Sequence, residues 1–135
     1  MPFHYSRTVR FADTDAAGVV FFANYLVFCH EAYEESLAAA GIELQTFFKA
    51  TGVMVPIAKS DATYLRPLFP GDKVRITLTP HLLSENSFAI AFELYRLTPV
   101  EKLAARIRTE HVSTSTVRKE RVGLPADLAA WVHHG

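Results

Sequence analysis

Cysteine is nearly missing from this chain: Cys29 is the single one in 135 residues. One thiol rules out a disulfide framework within the chain. It fits a reducing compartment, and the cytoplasm is the expected setting. An excess of charge is missing too. Lys plus Arg and Asp plus Glu stand at 14 each, so net charge points to no nucleic-acid partner. No apolar run reaches the roughly 18 residues of a membrane span, and no membrane association is expected. The opening stretch MPFHYSRTVRF lacks an apolar h-region, so no signal peptide is expected. Neither His-x-His nor paired Cys/His spacing occurs, which leaves no zinc pattern. Repeats, low-complexity tracts and linkers are absent as well, and a single domain over residues 1–135 is expected.

What is present is enough to build a core. Half of the residues are hydrophobic and 21% are charged, the balance of an ordinary globular domain. A chain of this length buries roughly two thirds of its surface on folding. Phe3 to Phe11 alternates like a strand. The run FFANYLVFCHEAYEESLAAAG has helical spacing, with Tyr25, Phe28, Cys29, Ala32, Ser36, Leu37 and Ala40 on one face. Glu31, Glu34 and Glu35 give a wet face only in its second half, so its first turns are expected to be deeply buried. Gly41 suits the C-terminal cap. ELQTFFKATG reads as a second short helix.

From Val53 the pattern turns to β. VMVPIAKSDATYLRPLF is strand-like, interrupted at Pro56 and Pro67. PGD makes a turn, and KVRITLT then alternates with Val74, Ile76 and Leu78 inward. SENS and TPVEK read as hairpin loops. FAIAFELYRL lies between them, with Phe88, Ile90, Phe92 and Leu94 on one face. LAARIRTEHVSTSTV follows with Arg106, Arg108 and Glu110 outward, and a last helical turn is expected near the C-terminus. Consecutive hairpins imply an antiparallel sheet, and one long helix must bury its apolar face against it. The expected class is α+β, a long central helix wrapped by a curved antiparallel sheet of about five strands.

The most informative stretch is RFADTDAAGVVFFANY, Arg10 to Tyr25. It sets Asp13 and Asp15 at the mouth of the most apolar segment, where a carboxylate is costly unless wet, paired or hydrogen-bonded. A simple turn accommodates both aspartates, because Asp hydrogen-bonds its own backbone. A calcium loop does not. With Asp13 and Asp15 at loop positions one and three, Ala17 falls at five and Asn24 at twelve, where an oxygen ligand and a bidentate Glu are needed. A catalytic carboxylate needs a source of positive potential nearby, and the start of a helix around Val20 to Phe22 supplies it through unpartnered N–H groups. An acyl carbonyl lodged there is polarised as in an oxyanion hole, within reach of an upstream carboxylate. Gly18 lets backbone approach closely. This arrangement suits hydrolysis of an activated acyl group.

DTDAAGVVFFANYLVF resembles the acyl-CoA thioesterase signature of the 4-hydroxybenzoyl-CoA thioesterase type in the hot-dog superfamily, through Asp15, Gly18, Val20, Asn24 and Tyr25. RPLFPGD at Arg66 to Asp72 resembles that family's Pro-containing turn, and the strand order agrees from about Phe3 to Val117. CHEAYE at Cys29 to Glu34 is similar to the 1,4-dihydroxy-2-naphthoyl-CoA hydrolase branch, which acts in phylloquinone biosynthesis. The resemblance implies Asp15 as catalytic nucleophile or general base, with Asp13 a turn residue. It implies the Phe22 backbone N–H as donor to the thioester carbonyl and Gly18 as the point of close approach. It also implies homodimers, often paired into homotetramers, with each active site between two protomers. Neither a metal nor a redox cofactor is implied, since coenzyme A belongs to the substrate.

Other residues carry readings of both kinds. Tyr25 and Val55 are expected in the core or against an aromatic acyl group. Arg118 and Lys119, in the basic cluster RKER, are expected at a solvated strand end or on coenzyme A phosphates. His30 is expected as a packed histidine. A Cys29–His30 dyad is unfavourable, since adjacent helical residues point about 100° apart. The rivals to an aromatic acyl-CoA hydrolase are an aliphatic acyl-CoA or acyl-carrier-protein thioesterase and a non-catalytic acyl-CoA-binding module.

Overall fold

Alternation in the three central strands organises the molecule. In the computed structural model, which describes residues 2–134, Val74, Ile76 and Leu78 are fully buried, and Phe88, Ile90, Phe92 and Leu94 face them across the sheet. These residues lie in β4 (Lys73–Ser84) and β5 (Ser87–Arg96), which pair with each other, and β5 pairs on its other side with β6 (Lys102–Val112). β1 (Phe3–Thr8) and β3 (Ile57–Tyr64) complete an antiparallel sheet in the order β1-β4-β5-β6-β3. β2 (Val53–Met54) and β7 (Thr114–Ser115) form a separate two-stranded ribbon.

The helix α1 (Asn24–Ala39) lies on the apolar sheet face, packed against β4, β1 and β6. Its buried residues are Tyr25, Phe28, Cys29, Ala32, Tyr33, Ser36 and Leu37, the expected face with Tyr33 in place of the exposed Ala40. Gly41 follows with a φ of +82°, a conformation glycine adopts freely. The short α2 (Leu44–Thr51) comes next. At the far end, α3 (Ala126–His134) is a full helix rather than a single turn. It buries Leu128, Trp131 and Val132, and Trp131 Nε1 donates to Ser36 Oγ of α1 at 2.9 Å.

The interruption expected at Pro56 is present, between β2 and β3. Two expectations are corrected. β1 stops at Thr8, and Phe11–Asp13 is a 3₁₀ turn. The apolar run into α1 is buried on one side only, at Tyr25 and Phe28, whereas Phe22, just before the helix, is 61% exposed and Val27 is 49% exposed. Their apolar surface exceeds what this one chain covers.

The core is most sensitive beneath α1, where Phe28 is fully buried and the Arg7 guanidinium lies 4.0 Å from its ring centroid. Phe28→Ala is expected to cost about 3–5 kcal/mol. Urea unfolding measures it, and a loss below about 1 kcal/mol would show that the site collapses around the smaller residue.

Candidate active site at the head of the long helix

The segment between β1 and α1 is a chain of local hydrogen bonds. The Asp15 N–H donates to the Val19 carbonyl and the Gly18 N–H to the Asp15 carbonyl, both at 3.0 Å. Asp15 Oδ1 accepts the Ala17 N–H at 2.9 Å, the Asx turn its residue type favours. Gly18 has a φ of +81°, and a Cβ there would meet nothing within 4 Å. Glycine is thus required by backbone conformation rather than by crowding within the chain, a different reason from the expected close approach. Asp15 is exposed at the edge of this turn.

Asp13 is built in more firmly. Its Oδ2 accepts from Arg7 Nη2 at 3.0 Å and from the Arg10 N–H at 2.7 Å. Its carbonyl accepts the Phe21 N–H at 3.0 Å and Asn24 Nδ2 at 2.8 Å. The Val20 N–H donates to the Leu68 carbonyl at 2.9 Å. The next free amide is that of Phe22, which has no acceptor among the described residues. Ala23, at the N-cap, offers no capping side chain, and the Asn24, Tyr25 and Leu26 N–H groups turn back onto the Phe21, Phe22 and Ala23 carbonyls, which leaves the Phe22 N–H at the positive end of the helix dipole. Helix proper starts at Asn24. The polarising amide therefore lies at Phe22, with Val20 and Phe21 already partnered.

Tyr64, which no sequence pattern singles out, holds the next peptide along: its hydroxyl donates to the Phe22 carbonyl at 3.2 Å. Tyr25 donates to the Arg66 carbonyl at 3.1 Å, and its ring meets Tyr64 edge-on at 5.0 Å. Burial, with Tyr64 close by, pushes the Tyr25 phenol up, so it stays a proton donor at neutral pH. Phe22, Tyr25, Tyr64, Leu65 and Arg66 line a cleft of about 260 Å³ at this end of α1.

A second, larger groove of about 670 Å³ lies along the other half of α1. Tyr33, Leu37, Phe48, Val55 and Ile57 line it, with His30, Glu34 and Lys49 among its polar residues. His30 is about half exposed, 3.3 Å from Glu34, and not packed in the core. The turn carrying Arg118 and Lys119 leaves from Thr116, which lines the groove and is bonded to Gly52. Arg118 is already paired with Glu120 at 3.2 Å. Within one chain, the structure brings Asp15, Gly18, Phe22 and Tyr25 to one end of α1. It places Val55, Arg118 and Lys119 at the other, separated along the helix by roughly 12–16 Å.

His111 forms the back of the groove. It is buried, stacked on Phe88 with ring centroids 4.7 Å apart, and bonded to Thr109 Oγ1 at 2.9 Å and to the Val55 carbonyl at 3.1 Å. Burial pushes its pKa below the usual 6.5, with the Val55 hydrogen bond opposing and His30 adding to the drop. An unfolded chain takes up this proton near pH 6.5, whereas the folded chain does so only at lower pH. The unfolded state then binds more protons, and stability falls as pH drops below about 6.5. Thermal melts over this range are expected to show a shallower acid loss of Tm in His111→Gln than in the parent. Equal slopes would exclude His111 as the source.

Comparison with known proteins places the chain in a family. Residues 9–132 match the Thioesterase-like superfamily. The chain is 44% identical over 128 residues to a 1,4-dihydroxy-2-naphthoyl-CoA hydrolase of Crocosphaera subtropica, covering 95% of this chain and 93% of the relative. It is 45% identical over 132 residues to the enzyme of that name from Nostoc punctiforme, covering 98% and 87%. The crystal structure of a 1,4-dihydroxy-2-naphthoyl-CoA thioesterase from Synechocystis superposes with a TM-score of 0.92 at 30% identity, covering 98% of this chain and 96% of that one.

Proposed function

Because the chain belongs to the thioesterase-like superfamily of hot-dog proteins, we propose that it hydrolyses an aromatic acyl-CoA, 1,4-dihydroxy-2-naphthoyl-CoA, as a step in phylloquinone biosynthesis. The naming of near-full-length relatives supports the substrate. The observation that carries the chemistry is the unpartnered Phe22 amide at the head of an uncapped helix, a few residues from the Asp15 carboxylate.

In this reading the thioester oxygen accepts a hydrogen bond from the Phe22 N–H. Such a donor is worth about 2.7–4 kcal/mol as negative charge builds on the oxygen. Asp15 either attacks the carbonyl carbon, forming a mixed anhydride that water then hydrolyses to return the carboxylate, or takes a proton from the water that attacks and passes it to the departing thiolate. The C–S bond breaks, coenzyme A leaves as the thiol, and the acyl group leaves as the carboxylic acid. Tyr25 and Val55 border the acyl group, and Arg118 and Lys119 meet the phosphates of coenzyme A.

The distance between the two clefts supports a homodimer. β3 is an edge strand exposed along nearly its whole length, and an unpaired edge invites another chain. Its first residue, Ile57, lines the large groove, and its last, Tyr64, lines the small cleft. Antiparallel pairing of β3 with its copy about a two-fold axis lays the start of one strand beside the end of the other. The Asp15 end of one protomer then faces the Val55 groove of its partner. The same pairing covers Phe22, Val27 and Ile57, and two such dimers pair into a tetramer.

A thiol-release assay over a panel of coenzyme A esters tests the activity. The naphthoyl and benzoyl esters are expected to outpace straight-chain esters, and tight binding without thiol release would favour a binding module. Asp15→Asn is expected to lower turnover by about 10²- to 10⁴-fold. Asp13→Asn, which keeps an oxygen acceptor for Arg7 and Arg10 but loses the charge, should cost less than Asp15→Asn and at most about 10²-fold, the effect of a displaced carboxylate. Full activity in Asp15→Asn would sink the mechanism. Sedimentation at assay concentrations is expected to give a multiple of the chain mass, and an active monomer would overturn the composite site.

A further inference from the structure

Arg7 sits on β1, paired to β4 opposite Val74, and its side chain is only 14% exposed. Three groups surround it. Nη2 bonds Asp13 Oδ2 at 3.0 Å, Nε lies 3.5 Å from Glu31 Oε1, and the guanidinium covers the Phe28 ring at 4.0 Å. Tyr5, two residues earlier on the strand, donates to the same Glu31 oxygen at 3.0 Å. Arg7 thereby joins the sheet to both the 3₁₀ turn and the helix. A planar fork that stacks while binding two carboxylates is a property of arginine that lysine lacks.

Stability alone accounts poorly for this arrangement. Nη1 is buried without a partner, which costs free energy, and buried ion pairs in general add little net stability. What the pair does provide is placement. Asp13 passes the position of β1 to the Phe21 N–H and to Asn24, the first helical residue. Asp15 follows two residues later, in an exposed turn of small residues held by its own local bonds.

We propose that Arg7 is a positioning residue for the hydrolysis: through Asp13 it sets the spacing between the Asp15 carboxylate and the Phe22 amide. The inference rests on the reading of those two groups as the reacting pair. Arg7→Lys keeps the charge but not the fork, and is expected to lower kcat by up to about 10²-fold, the effect of a misplacement near 1 Å. KM should stay near the parent value, because Arg7 is on the far side of Asp13 from the substrate. In Arg7→Ala, added methylguanidinium should restore part of kcat, and ethylammonium should not.

A purely structural pair would lower Tm while folded enzyme kept its kcat. Undiminished kcat in folded Arg7→Lys overturns the inference, as does a fall in kcat matched only by the loss of folded protein. Should Arg7→Ala fail to fold, Arg7→Lys alone decides, through its kcat against KM. Asp15→Asn, assayed alongside, separates the two ideas. Full activity there removes the reacting pair itself, whereas a large loss there with unaltered Arg7→Lys removes only the role of Arg7.

Discussion

The approach to α1 leaves the Phe22 N–H without an acceptor among the described residues, and the bonds around it are arranged about that donor. The first helical amides are met locally, Asn24, Tyr25 and Leu26 donating to the Phe21, Phe22 and Ala23 carbonyls. The amides just before them are taken one at a time by different elements. Leu68 accepts from Val20, and Asp13 accepts from Phe21. Tyr64, reaching over from the end of β3, pins the Phe22 carbonyl. Phe22 keeps a free N–H, and the peptide that carries it is held through the Phe21 carbonyl, which accepts the Asn24 N–H at 2.8 Å. A donor held in place by its neighbours needs no reorganisation when charge develops beside it.

Much of this was legible in the amino-acid order, for a definite reason. Where a sheet has one wet and one dry face, alternation reports the face directly, and Val74, Ile76, Leu78, Phe88 and Ile90 all lie in the core. The buried stripe of α1 was equally clear. The misreadings come from pairings distant in sequence and from apolar residues that lie at the surface. Phe22 and Val27 are apolar but exposed, because a hydrophobic pattern does not tell a core position from an exposed one. The partner of Asp13, Arg7, lies on another element, and no local spacing announces such a pair. α3 was understated because its short pattern hid the anchor that Trp131 makes to Ser36.

The two aspartates illustrate how function and turn chemistry share residues. Asp15 does what any aspartate does in a tight turn, accepting the Ala17 N–H with one oxygen. That bond leaves the second oxygen available and holds the carboxylate in one orientation. Asp13, two residues earlier, is committed to Arg7 and Arg10. The same residue type serves once as an anchor and once as an exposed group, and the difference lies in what surrounds each.

The single tryptophan of the chain is Trp131. It is buried, bonded to α1 through Ser36, and its ring centroid lies 5.6 Å from that of Tyr33 on the groove wall. All indole fluorescence therefore arises from one place, where the last helix grips the helix that carries the site. The protein has an internal optical probe at that junction, and its emission follows the docking of α3 without any label.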